Sequence, residues 1–157
     1  IKSKYLKKII HIEPNVKNTR GYLNRQWGLE KWQKVVNELN QDYVFLQTSF
    51  GNQNILENVV NVPNINFRLA CTLLMGVDLF VGLHGGMSHA AAALDKKGVI
   101  IFGGWCDPKN LGYKAHSNLY INDKMSPCGS KNNCDHCKKC MELITVNKVI
   151  KEIRRFA

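Results

Sequence analysis

Two stretches of the chain hold residue types that can do chemistry. The first runs from Asp78 through His84-Gly85-Gly86-Met87-Ser88-His89 and four alanines into Gly98-Val-Ile-Ile-Phe-Gly103-Gly104. It reads as strand, glycine turn, alanine helix and second buried strand, which is a layout that holds phosphate. Gly85 and Gly86 let backbone N–H groups approach an anion with no Cβ in the way, and the helix that follows points its positive end at the same spot. His89, one turn in, adds a donor. A glycine pair is also an ordinary strand-to-helix connection, so this signal needs support from the rest of the chain.

The second stretch is Cys128-Gly-Ser-Lys-Asn-Asn-Cys134-Asp-His-Cys137-Lys-Lys-Cys140, four thiols within thirteen positions. Two Cys-x-x-Cys steps sharing Cys137 suit tetrahedral thiolate coordination of zinc or a single iron. Lys138 and Lys139 offset the ligand charge, and His136 can replace one cysteine. An iron–sulfur arrangement fits less well, because the ferredoxin run is absent. Two disulfides or free thiols fit the same spacing. The role expected of the cluster is structural. Cys71 falls on the apolar face of an expected helix, as a core residue, and Cys106 in the loop after Gly104, where it can line a cleft.

Alternating elements must position these groups. Lys8 to Ile12 is an apolar run stopped by Pro14, hence a buried strand, and the polar loop Glu13 to Gln26 after it carries Lys17, Arg20 and Arg25. Trp32, Val35, Val36 and Leu39 share one face of a helix whose other face shows Glu30, Lys31, Lys34 and Glu38. Strands are expected at Tyr43 to Leu46, Leu56 to Val62, Asp78 to Leu83 and Gly98 to Phe102, with helices at Phe67 to Met75 and Met87 to Asp95. Residues 103–139 read as loop. Thr145 then caps a last helix that turns Val146, Val149, Ile150 and Ile153 inward. Such alternation predicts an α/β fold with a parallel sheet and helices on both faces, plus a cysteine-rich loop before the C-terminal helix. Ligands in such sheets bind beyond the carboxyl ends of the strands, which brings the loops at Glu13 to Arg25, His84 to His89 and Gly103 to Asp107 to one edge.

With 157 residues the chain suits one domain, and no apolar run reaches the roughly 18 residues of a membrane span. The formal charge of +10 favours anionic partners: a nucleotide diphosphate, a phosphorylated glycolipid, a membrane surface or nucleic acid. The lysines spread over Lys2 to Lys8, Lys138 to Lys139 and the last helix as a solvated surface would. A dinucleotide oxidoreductase lacks support, since no Gly-x-Gly-x-x-Gly follows the first strand. A basic, zinc-finger-bearing nucleic-acid module is the alternative from another class, but it should interleave aromatics with the basic residues, and these are sparse around the cysteines.

The segment at 84–92 resembles the Asp-x-Gly-x-x-His-x-Ala-Ala-Ala element of the ADP-heptose:lipopolysaccharide heptosyltransferase family, with Gly86, His89, Ala91 and Ala92 in place and His84 where the family carries Asp. The likeness continues in register. Lys8-Ile-Ile-His-Ile-Glu13-Pro14 and Asn24-Arg25-Gln26-Trp27 look like the family's opening strand and Lys-x-Trp-Pro helix start, with Arg25 at the lysine position. Phe102-Gly103-Gly104 ends a strand as in the family, and Cys128 to Val149 looks like its cysteine-containing tail and final helix. This resemblance implies a two-domain GT-B glycosyltransferase whose C-terminal, Rossmann-like half binds the nucleotide-sugar donor. The chain, which begins at Ile1, is then expected to be that half as a single domain over residues 1–157, with the cysteine-rich insertion at 128–140. The implied donor-binding set is Glu13, Arg25, His84, Gly85, Gly86, Met87, Ser88, His89, Gly103 and Gly104, with Cys128, Cys134, Cys137 and Cys140 as ligands of structural zinc or iron. Some relatives in this wider family carry a four-cysteine metal finger. An ADP-sugar is the favoured donor, and an anionic glycan, glycolipid or protein the acceptor. The acceptor domain and its catalytic base belong to an N-terminal half, no nucleic-acid partner is expected, and the implied location is cytoplasmic, peripheral to the inner membrane.

Overall fold

The computed structural model describes residues 6–19 and 21–157, so the lysines at positions 2 and 4 and the loop cation at position 20 lie outside it. Six parallel strands form one sheet in the order β3-β2-β1-β4-β5-β6. In chain order these are β1 (Lys8–Glu13), a 3-10 helix (Tyr22–Arg25), α1 (Leu29–Leu39), β2 (Tyr43–Thr48), β3 (Val60–Val62), α2 (Phe67–Met75), β4 (Leu79–Leu83), α3 (Gly86–Ala93), β5 (Gly98–Gly103), α4 (Pro108–Leu111), β6 (His116–Tyr120), α5 (Asp135–Leu143) and α6 (Val146–Phe156).

Alternate residues of the central strands feed two cores. Ile10, Ile12, Leu79, Val81, Val99 and Ile101 face α1, α5 and α6, where Trp32, Val35, Val36, Leu39, Val149 and Ile153 are buried. Phe80, Ile100 and Phe102 face the opposite way, against Leu74 of α2 and Ala91 of α3. The apolar stripes of α1 and α6 therefore do what their spacing predicts, and Thr145 caps α6 by accepting a hydrogen bond from the Lys148 amide.

Three expectations need correction. Residues 103–139 are not all loop: they hold α4, β6 and α5. β6 is an edge strand of sequence His-Ser-Asn-Leu-Tyr, rich in polar side chains, with His116 Nε2 at 3.1 Å from the Lys96 carbonyl and Ser117 Oγ donating to Glu152 at 2.6 Å, so a hydrophobic pattern cannot reveal it. Helix α5 fills its inward positions with Cys137, Cys140 and Met141. Strand β3 is only three residues long, because Asn58 turns into the left-handed region at φ 59° and the Leu56 amide bonds the Gln47 side chain instead. Finally, Cys71 is half-exposed rather than core, the buried side of α2 being Ala70 and Leu74.

Candidate functional site

Strand order reverses between β1 and β4, and the crevice beyond their carboxyl ends is where such sheets bind ligands. A cleft of about 780 Å³ lies there. Glu13, Asn15 and Val16 border it from the end of β1, Thr48, Ser49, Phe50 and Gln53 from the end of β2, Phe67 from α2, and Leu83 through Met87 from the β4–α3 turn. Arg25 reaches the same cleft from the 3-10 helix, along with Lys17 and Thr19 of the loop before it.

At the start of α3 the hydrogen bonding leaves two amides open. The Gly85 N–H donates to Ser88 Oγ at 3.1 Å, and Gly85 O in turn accepts from Ser88 Oγ, Ser88 N and His89 N. Gly86 and Met87, at the positive end of the helix, keep their N–H groups unpaired among the described residues. A Cβ on Gly86 would stand 3.3 Å from the Phe67 ring, so glycine keeps this edge of the cleft close to the backbone.

Charge in the cleft is set by burial. Arg25 donates to Thr19 Oγ1 at 3.0 Å and stacks its guanidinium 5.1 Å from the Trp105 ring centroid, while its buried Nε has no partner among the described residues. Burial, followed by the nearby His89 imidazole and the Arg25 guanidinium, pushes His84 down to about 4. Burial also pushes the Cys106 thiol up to about 11. Both groups are thus neutral near pH 7, and with the Cys106 sulfur 3.6 Å from His84 Nδ1 the thiol donates and the imidazole accepts. His84, on the border of the cleft, then has in Nε2 a buried N–H donor without a partner among the described residues. Burial raises the Glu13 carboxyl to about 7, with hydrogen bonds from Asn15 and Thr48 pulling the other way.

The sequence-derived set divides. Glu13, Arg25, His84, Gly85, Gly86 and Met87 border the cleft. Ser88 is buried and serves as the internal cap of α3, and His89 bonds the Tyr113 hydroxyl at 2.8 Å, its ring edge-on to His84. Gly103 and Gly104 lie beside the cysteine segment instead. A Cβ on Gly103 would meet Met141 at 3.0 Å, and one on Gly104 would fall 2.5 Å from Cys140 Sγ. Cys106 packs behind His84 and is absent from the lining. Thr48, Ser49, Phe50 and Gln53 were missed, although the strand-end rule that picked three loops applies equally to the turn-rich loop after β2.

The cysteine segment forms a second constellation. Ligand atoms of Cys128, Cys134, His136 and Cys137 all lie within 4.8 Å of one another, with the sulfurs of Cys128 and Cys134 at 3.3 Å. Cys140 stands one turn further along α5 in a separate group with Asp123 and His136, the imidazole Nε2 lying 2.8 Å from Asp123 and 3.4 Å from the Cys140 sulfur. All six cysteines are free. The Cys137 amide holds the Cys134 thiol below its ordinary range, whereas burial and then the neighbouring thiols push Cys137 well above it. Three crowded thiols and one imidazole form a soft donor set that fits zinc or iron, for tetrahedral thiolate coordination places sulfurs about 3.8 Å apart when each metal–sulfur bond is about 2.3 Å.

Comparison with known proteins follows the same lines. A model of glycosyltransferase family 9 (heptosyltransferase) matches residues 6–145. The E. coli heptosyltransferase WaaC with ADP superposes with a TM-score of 0.71 at 16% identity, covering 99% of this chain and 46% of that one. The dodecameric iron-containing heptosyltransferase TibC of enterotoxigenic E. coli, in complex with ADP-D-beta-D-heptose, gives 0.72 at 17% identity, covering 98% and 46%. E. coli ADP-heptose lps heptosyltransferase II gives 0.71 at 15%, covering 99% and 48%. The chain thus spans slightly under half the length of each, and no curated protein matches it. At these identities the structural likeness establishes the fold, a Rossmann-like α/β domain, and the family match over most of the chain establishes the rest: this chain belongs to glycosyltransferase family 9.

Proposed function

We propose that the chain is the donor-binding half of a glycosyltransferase that moves a heptose-like sugar from a nucleoside diphosphate to a cell-surface glycan, lipopolysaccharide or protein acceptor. The observation that carries this reading is the pair of open amides at Gly86 and Met87, set beside Arg25 at the point where strand order reverses. Backbone donors, a helix N-terminus and a guanidinium border one cleft, the combination that suits a diphosphate. Phe50 and Phe67, 68% and 59% exposed, offer flat apolar surface at the same cleft for a base. ADP is the favoured nucleotide, since WaaC was solved with ADP and TibC with ADP-D-beta-D-heptose.

In the transfer, the bond between the anomeric carbon and the diphosphate oxygen breaks and its electron pair leaves with the diphosphate. Arg25 and the two amides face that growing charge, and the neutral His84 offers one more N–H. The acceptor hydroxyl oxygen forms the new bond and gives its proton to a base supplied by a second, N-terminal domain, which also holds the acceptor. The anionic acceptor and a membrane surface on which the enzyme works peripherally suit the net charge of +10. Cys128, Cys134 and Cys137, with His136 or Cys140 completing the set, would hold zinc or iron, which would supply a structural cross-link between the 128–134 segment and α5.

Calorimetric titration with ADP, UDP and GDP tests the donor site. ADP should bind tightest, and Gly86→Val, whose side chain would collide with Phe67 and cover the open amides, should weaken it at least tenfold, about 1.4 kcal/mol. Unchanged affinity in that variant would place the nucleotide elsewhere.

A further inference from the structure

The cleft and the cysteine segment are joined through one buried amide. Asn24, 1% exposed, sits next to Arg25 on the 3-10 helix but points away from the cleft. Its Nδ2 donates to the carbonyls of Ser130 at 3.0 Å and Asn132 at 2.7 Å, and its Oδ1 accepts from the Cys134 amide at 2.9 Å. All three partners belong to the 128–134 segment. The Ser130 carbonyl also accepts from Trp105 Nε1 at 2.8 Å, and Trp105 is the ring on which the Arg25 guanidinium rests. At the start of the 3-10 helix, a Cβ on Gly21, which has φ 75°, would stand 3.0 Å from that same oxygen.

Residues 128–134 form no helix or strand. Their path is held by these bonds, by the Cys128 and Gly129 amides donating to the Gly104 and Trp105 carbonyls at 2.9 and 2.8 Å, and by whatever joins their cysteines to α5. A metal on the thiols fixes where Ser130, Asn132 and the Cys134 amide stand, and those three groups fix Asn24. With its neighbour held, Arg25 keeps its reach over Trp105 into the cleft. Released, the segment offers Asn24 no fixed partners, and Arg25 is left with Thr19 and a Trp105 ring that has lost its own bond to Ser130.

Building on the donor-site reading, we propose that Asn24 is a positioning residue through which metal loading of the cysteine segment sets the affinity of the cleft for nucleotide. Linkage makes the effect reciprocal: nucleotide should also slow loss of the metal.

The test measures ADP binding by calorimetry on the chain loaded with zinc or ferrous iron and again after chelation under reducing conditions, with metal content by elemental analysis and fold by circular dichroism. Stripping should weaken ADP about tenfold, within the usual range of coupling between sites. Asn24→Ala, which leaves every thiol in place, should retain the metal yet bind ADP at the stripped level in both states. Trp105→Phe is the milder variant, keeping a ring under Arg25 while losing the bond to Ser130, and it should show a reduced response. Equal ADP affinity in loaded and stripped protein, an Asn24→Ala protein as metal-responsive as the parent, or failure to take up either metal would each overturn the coupling. If loaded parent protein binds no ADP, the donor-site reading itself fails and the coupling falls with it.

Discussion

Glu13 is a carboxyl placed among groups that attract anions. Burial holds it up to about 7, so it is largely protonated in mildly acidic solution and ionised above neutrality. An ionised Glu13 would repel a diphosphate in the same cleft, so affinity for ADP should fall as pH rises through about 7. Comparing the parent with Glu13→Gln isolates this effect, because titration of the nucleotide's own phosphate is common to both; the difference between them should open above pH 7. A constant ratio from pH 5.5 to 8.5 would remove Glu13 from the site. Stability must follow the same sign. The folded carboxyl titrates above its ordinary value of 4.5, so its contribution is complete below that pH and is lost as pH rises through about 7. His84 works the other way on stability: burial holds it down to about 4 against an ordinary 6.5, so its contribution is complete above about 6.5 and is lost as pH falls toward about 4. That a histidine takes the place of the family's Asp was legible in the sequence, but its neutrality was not: it depends on Phe102, stacked at 5.0 Å between ring centroids, and on the Cys106 thiol.

Elements with a strong apolar period were legible, and those built on other forces were not. β1, α1, α2, β4, β5 and α6 follow their hydrophobic spacing to within a residue or two. β6 is held by ladder hydrogen bonds to β5 and by paired polar side chains, and α5 by cysteines whose burial spacing alone does not announce. The same gap explains Gly103 and Gly104. In sequence they look like a ligand-approach turn at a strand end, yet the structure packs α5 and the cysteine segment against them. Gly104→Ala would place a methyl group 2.5 Å from the Cys140 sulfur and 2.8 Å from Ser126 Oγ, and since α5 cannot retreat without exposing Cys137 and Met141, the substitution should cost about 1–3 kcal/mol. Urea unfolding measures this directly, and metal content should fall in the same variant. A neutral result would mean that α5 is not docked on the end of β5.

At the scale of the whole molecule, the cleft lies open along the carboxyl edge of the sheet and presents groups suited to a diphosphate, while the carboxylates near it are otherwise engaged. Asp107 caps α4 by accepting from the Lys109 amide at 2.8 Å, and Glu13 accepts from the Asn15 amide at 3.2 Å. His84 has its Nδ1 against the Cys106 thiol. Among the described residues no proton acceptor stands out as aimed at an incoming hydroxyl, and the solved heptosyltransferase structures are about twice the length of the chain. Positioning the acceptor and removing its proton contribute separately to the barrier from stabilising the departing diphosphate. Residues 1–157 alone should therefore bind ADP and transfer no sugar from an ADP-sugar to a glycan acceptor. Joined to an N-terminal half, the enzyme should turn over, and Arg25→Ala should then lower turnover about a hundredfold, the scale of losing one preorganised donor to a developing oxyanion. Radiolabelled sugar transfer, assayed with and without the N-terminal half, decides the matter: robust transfer by residues 1–157 alone would overturn the two-domain mechanism and return Glu13, His84 and Asp107 to consideration as the base.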